Sequence, residues 1–132
     1  MSGEIIQRDA FHQANASVLV GSTNTVVIQP VNLLRYDKKA FTVKNLGPNT
    51  FQTAKVQATV IEQTDTQGRS IGLASSTDAD WEDIDNTTLV GLLANQIKSV
   101  QIKDDSRKWW RVVAACNGTT SGAIGHVTAG SP

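Results

Sequence analysis

Three groups of residues in this 132-residue chain have the types and spacing to do chemistry. The first is Cys116, the sole cysteine, with the two histidines His12 and His126. A nucleophile needs its base within hydrogen-bond reach. Cys116 falls on the apolar register of a β-branched segment, where a thiol behaves as a small buried hydrophobe. His126 stands between Gly125 and Val127 near the end of the chain, a surface or edge position. No catalytic Cys–His couple is therefore expected, and no enzyme activity. The second group is the acidic run Asp78-Ala79-Asp80-Trp81-Glu82-Asp83-Ile84-Asp85. Calcium takes six to eight oxygens, and the run supplies carboxylates in density. It lacks the central glycine and terminal glutamate of a calcium loop. In an extended segment Asp78, Asp80 and Glu82 fall on one face and Asp83 and Asp85 on the other, so a solvated acidic loop is expected instead. The third is Arg107-Lys108-Trp109-Trp110-Arg111, bases interleaved with aromatics as on single-strand nucleic-acid surfaces.

Composition decides against that last chemistry. Twelve Lys and Arg balance twelve Asp and Glu, whereas nucleic-acid binders usually carry a basic excess. The expected arrangement of the third group is Trp110 in a core and Trp109 outside beside Arg111, where Trp and Arg are frequent interface anchors. No glycine-rich phosphate loop precedes a Lys-Ser or Lys-Thr, and one cysteine cannot build a multi-cysteine metal site. No cofactor, metal or nucleic-acid partner is expected. No apolar run approaches the ~20 residues of a membrane-spanning helix, and the N-terminus lacks the pattern of a signal peptide. A chain made in a reducing cytoplasm without a membrane partner is the expectation.

The elements that must position these residues are strands. Val, Ile and Thr make up 36 of the 132 residues, and β-branched side chains favour the pleated backbone. Strand patterns recur between turn clusters over residues 17–132. Ser17–Val20 and Thr25–Gln29 are two, the second stopped by Pro30 at a strand end or sheet edge. Ala40–Asn45 and Ala54–Glu62 alternate, the latter with Ala54, Val56, Ala58 and Val60 inward and Lys55, Gln57 and Thr59 outward, as on a half-buried antiparallel strand. Trp81–Ile84, Ile97–Lys103, Trp109–Cys116 and Ala123–Ala129 follow, with a polar loop at Thr64–Ser70. Residues 1–16 show no such alternation and are expected to form an N-terminal arm with a helical turn around Ala10–Ala14. The fold class is all-β: an antiparallel β-sandwich, Ig-like or jelly-roll-like, with an N-terminal arm.

Two stretches carry a resemblance. Phe41-Thr42-Val43-Lys44-Asn45-Leu46-Gly47, before a turn and a long alternating strand, is similar to the strand–turn–strand corner of Ig-like sandwiches. Over residues 40–116, the Trp81-Glu82-Asp83-Ile84 segment followed by the strands Ile97–Lys103 and Trp109–Ala115 resembles small virion proteins of tailed bacteriophages. The resemblance implies a structural role as a capsid decoration or cement protein on the capsid exterior. Its implied partners are the major capsid protein or another virion protein, and further copies of itself as dimers or trimers. A tail, collar or baseplate adaptor, or a carbohydrate- or surface-binding sandwich, is the alternative. Apolar pairs outside any strand pattern and the exposed aromatic–cation pair nominate the contact residues: Ile5, Ile6 and Phe11 in the arm, Leu33, Leu34 and Tyr36 in a loop, and Trp109 with Arg111. Leu33-Leu34 has the competing reading of a cap on the end of the sandwich.

Overall fold

The computed structural model describes residues 10–117 and 120–130, and over these the chain is an antiparallel β-sandwich. Eleven strands follow in order: β1 (Ala10–Ala14), β2 (Val18–Val20), β3 (Thr25–Asn32), β4 (Lys38–Gly47), β5 (Phe51–Thr59), β6 (Glu62–Thr64), β7 (Ser70–Ala74), β8 (Glu82–Asp85), β9 (Ile97–Lys103), β10 (Trp109–Cys116) and β11 (Ser121–Gly130). The first sheet has the order β1-β11-β4-β9, with β2 also on β11; the second is β3-β10-β5-β8. β6 and β7 form a separate two-stranded ribbon.

The residues choose these places by what each face must touch. β10 sits between β3 and β5 and is buried along nearly its whole length, so its sequence WWRVVAAC is almost continuously apolar. β4 buries alternate residues, Lys39, Phe41, Val43 and Asn45, and turns Thr42 and Lys44 outward. Phe41 meets Trp110 across the gap between sheets with ring centroids 5.7 Å apart. Asn45 is wholly buried, yet satisfied. Its Nδ2 donates to the carbonyls of Asn49 (2.6 Å) and Leu92 (2.9 Å), and its Oδ1 accepts from the Gly47 N–H (2.8 Å) and the Ser121 hydroxyl (2.7 Å). A buried amide with its donors and acceptor used fixes a unique arrangement, here tying the loop through Leu92 to both β4 and β11.

Four expectations change. Residues 10–14 form strand β1, paired with β11 from Ala10↔Gly130 to Ala14↔His126, and not a helical turn; the first sheet starts at Ala10, ahead of Ser17. The cause is Phe11, which packs on the core and on Tyr36. Pro30 does not stop its strand. β3 runs on to Asn32, and Pro30 lies where the register with β10 slips between Trp110↔Val31 and Val112↔Ile28. As expected of proline, this is an edge strand, where no ladder bond is required of its missing N–H. Gln57 and Thr59 of β5 are buried, not outward, because residues 75–81 lie over that face and β8 pairs alongside, and Val60 is exposed, not inward, because β5 ends at Thr59.

Gly125 shows how closely the sheets approach. A Cβ there would lie 2.4 Å from Ile28 Cγ1 and 3.0 Å from its Cδ1. Gly125→Ala is expected to destabilise by about 1–3 kcal/mol through overpacking, read as a lowered urea midpoint. An unchanged midpoint would mean Ile28 moves aside freely.

Candidate interaction surface

The chemistry-bearing side chains are dispersed, each tied to its own partner. Cys116 is fully buried; burial pushes its thiol pKa up, against the opposing pull of Ser121. His126 is elsewhere, on the first sheet, with its Nδ1 3.5 Å from His12 Nε2 and the two rings stacked. In the acidic run, Asp78 meets Arg111 (3.1 Å), Asp80 accepts from Ser75 (2.5 Å), Glu82 meets Arg107 (2.6 Å), Asp83 accepts from Gln57 (2.8 Å), and Asp85 accepts from the Thr88 hydroxyl (2.7 Å). Residues 78–80 are a 3₁₀ turn and only Glu82–Asp85 a strand, so the expected extended pattern holds for half the run. Among the described residues no group of three metal-ligating side chains converges.

The nominated contact residues divide. Ile5 and Ile6 lie outside the described residues. Phe11 is half-buried against Tyr36, ring centroids 5.9 Å apart, and both pack on the core. Leu33 and Leu34 separate: Leu33 is 0% exposed and Leu34 55%. Leu33 is thus a cap on the sandwich end and not a contact residue; its N–H donates to the Lys108 carbonyl and its side chain lies in the core. Arg111 is the other correction. It is 7% exposed, its Nε donates to Gln57 Oε1 (2.8 Å), and its guanidinium lies 4.4 Å from the centre of the Trp81 ring. It does not stand outside beside Trp109 but is stacked on Trp81, which covers this part of β10.

Trp109 is half-buried, and it leads to a feature that local alternation did not reveal. Its indole N–H donates to Glu62 Oε2 (2.7 Å), and Lys108 Nζ meets the same oxygen (2.8 Å). Glu62 Oε1 accepts from the Ser70 hydroxyl (2.7 Å). These bonds fasten the base of the β6–β7 ribbon to β10. The ribbon and the residues entering it leave Val60 (66%), Ile61 (47%), Ile71 (51%) and Leu73 (51%) exposed. Contiguous apolar side chains left in water are the usual mark of a protein-contact surface, and these four lie in two segments brought side by side by the β6–β7 ladder. The signal in the sequence was the apolar pairs Val60-Ile61 and Ile71…Leu73 flanking a polar loop. It is weak because the apolar side chains face solvent.

Hydrogen bonds from Lys108, Ser70 and Trp109 hold the Glu62 carboxyl at a pKa of about 2, below its ordinary 4.5. A depressed carboxyl pKa stabilises the fold above the unfolded value and loses that contribution as pH falls. Wild type should therefore exceed Glu62→Gln in thermal midpoint by a constant amount above pH 4.5. The difference should shrink toward zero near pH 2. A difference independent of pH would show that Glu62 does not anchor the ribbon as a charge.

A scan against protein-family models gives no match, and a search of curated proteins gives none.

Proposed function

We infer that this chain is a structural protein that acts by adhering to other proteins, and that its setting is a tailed-phage head, as a decoration or cement protein on the capsid exterior. The single observation that carries the adhesive part is the apolar β6–β7 ribbon, held out from the sandwich by the Glu62–Lys108–Trp109 anchor. Binding across a broad face needs a rigid scaffold and exposed apolar anchors, with a polar rim for orientation. The virion setting is supported by the resemblance of residues 40–116 to small phage virion proteins. The major capsid protein, or another virion protein, is then the partner, met after synthesis in the host cytoplasm. A tail, collar or baseplate position would use the same surface on a different partner. The carbohydrate-binding reading draws no support from Tyr36, which turns its ring to Phe11 and the core.

The test is co-sedimentation of the purified protein with empty expanded capsid shells of the source virus. Wild type should pellet with the shells. Ile71→Asp/Leu73→Asp, which alters only exposed positions, should keep its circular dichroism spectrum and lose at least about tenfold in affinity, as truncated interface anchors do. Wild type left in the supernatant overturns the capsid setting; a ribbon variant that pellets like wild type overturns the surface.

A further inference from the structure

We propose that His12 and His126 together form a site for a divalent transition-metal ion of the zinc–copper class, and that the ion clips strand β1 to β11. The two side chains are 114 positions apart in the chain and meet only through the sheet. In the β1–β11 ladder His12 faces Thr128 and His126 faces Ala14, so the histidines are diagonal neighbours. Residues opposite each other, and residues two apart, point to one side of a sheet. Phe11 and Val127 take the core side, which leaves both imidazoles on the solvent side. His12 is exposed and His126 half-buried.

The gap between the rings fits a shared ion better than a shared proton. His126 Nδ1 lies 3.5 Å from His12 Nε2, beyond the roughly 2.7–3.2 Å of a good nitrogen hydrogen bond. Two imidazole nitrogens, each about 2.0–2.1 Å from one tetrahedral ion, stand about 3.3–3.4 Å apart. The ring planes are 16° apart, so the lone pairs run side by side. Turning the exposed His12 ring about its Cβ–Cγ bond, a torsion with a broad preference, aims them at one point. Ala14 and Thr128, both exposed, are too small to stand over the rings.

The surroundings leave the pair free for a ligand. Among the described residues, each ring has only the other as a hydrogen-bond or ion-pair partner. Opposite His126 on β4 is Thr42, whose hydroxyl is engaged with Ser99 (2.6 Å). Lys44 of the same strand faces Ile124, two residues farther along β11. Neutral imidazole suits zinc and copper, whereas magnesium and calcium want oxygen. Two protein ligands leave the other positions to water, so the ion exchanges with solvent. β1 is an edge strand, paired on one side only, to β11. An ion held by both strands stabilises that pairing by mass action. The site lies on the first sheet, whereas the β6–β7 ribbon is fastened to β10 of the second, so it does not depend on what the ribbon binds.

Isothermal titration of the untagged full chain with zinc chloride tests it, with magnesium chloride as the control. Wild type should bind one zinc ion per chain and no magnesium. His12→Gln and His126→Gln should each keep the wild-type circular dichroism spectrum. Each should weaken zinc binding by at least the about tenfold that loss of even an outer-shell partner costs a metal site. The double variant should be indistinguishable from either single one, because a chelate is lost with its first ligand and ligands of one ion are not additive. With zinc at about ten times its dissociation constant, amide exchange in β1 should slow about tenfold in wild type and be unchanged in the variants. No zinc binding, binding that survives either substitution, losses that add across the two, or β1 exchange indifferent to bound zinc would each overturn the proposal.

Discussion

Trp110→Ala should cost about 3–5 kcal/mol of stability, the usual range for deleting a buried tryptophan, whereas Trp109→Ala should cost about 1 kcal/mol, the worth of one hydrogen bond. The two residues are neighbours in sequence and differ only in the face they take. Trp110 is fully buried, stacks on Phe41, lies 5.0 Å under Lys39 Nζ and donates its indole N–H to the Arg107 carbonyl (2.8 Å). Its removal opens a cavity where both sheets meet and leaves the Lys39 ammonium, already desolvated by burial, over a void. With whole-domain stabilities of about 5–15 kcal/mol, such a loss leaves a protein near its unfolding threshold. Trp109 gives up its bond to Glu62 and part of a half-buried ring. The readout is the urea midpoint at unchanged slope. Equal losses from the two variants would contradict the assigned faces. Trp109→Ala should instead show its effect in binding, because it loosens the base of the ribbon.

This pair also marks how far the sequence is legible. The even positions Trp110, Val112, Ala114 and Cys116 are all apolar, while Arg111 breaks the other face, and that difference is enough to place one tryptophan in and the other out; β9 and β10 run over the residues that the pattern indicates. Alternation is a local signal and reports which side chains want to leave water. It does not report what else in the chain covers them. Gln57, Thr59 and Arg111 have polar side chains on what reads as the outer face, and residues 75–81 arrive from outside those strands to bury them. Leu33 and Leu34 fail for the same reason. Two adjacent leucines in a loop are equivalent in pattern, and tertiary bonds separate them: the Leu33 N–H donates to the Lys108 carbonyl, far off in sequence, and the Leu34 N–H to Asn32 Oδ1.

The proposed contact surface was less legible than the core because its chemistry is a matter of juxtaposition. Ile71 and Leu73 flank Gly72, which has φ 77°, so the ribbon lacks the regular strand pattern that would have singled out Ser70–Ala74. His12 and His126 meet through β1 and β11, after an expectation of helix had placed His12 outside the sheet.

Arg111→Ala is the second large effect, expected at about 2–4 kcal/mol, between the loss of a charged hydrogen bond and the breaking of a buried ion pair. The lower end applies if Asp78, 88% exposed in its side chain, is simply rehydrated. The upper end applies if residues 75–81 detach, because Gln57 Oε1 loses its donor and the Trp81 ring loses its cation together. Arg111→Lys distinguishes the contributions. An ammonium cannot reach Gln57 and Asp78 with a planar fork while stacking on Trp81, so lysine should recover less than half of the loss. Arg111→Met keeps the apolar stem over Trp81 without any hydrogen bond, and should resemble lysine if packing dominates or alanine if the Gln57 bond does. Near-ultraviolet circular dichroism follows the Trp81 environment while urea midpoints give the energies. An alanine variant within about 0.5 kcal/mol of wild type, the range of ordinary surface substitutions, would mean that Arg111 does not fasten the covering segment. In that case the burial of Gln57 and Thr59 rests on Trp81 and on the Thr59 bond to the Asp80 carbonyl alone.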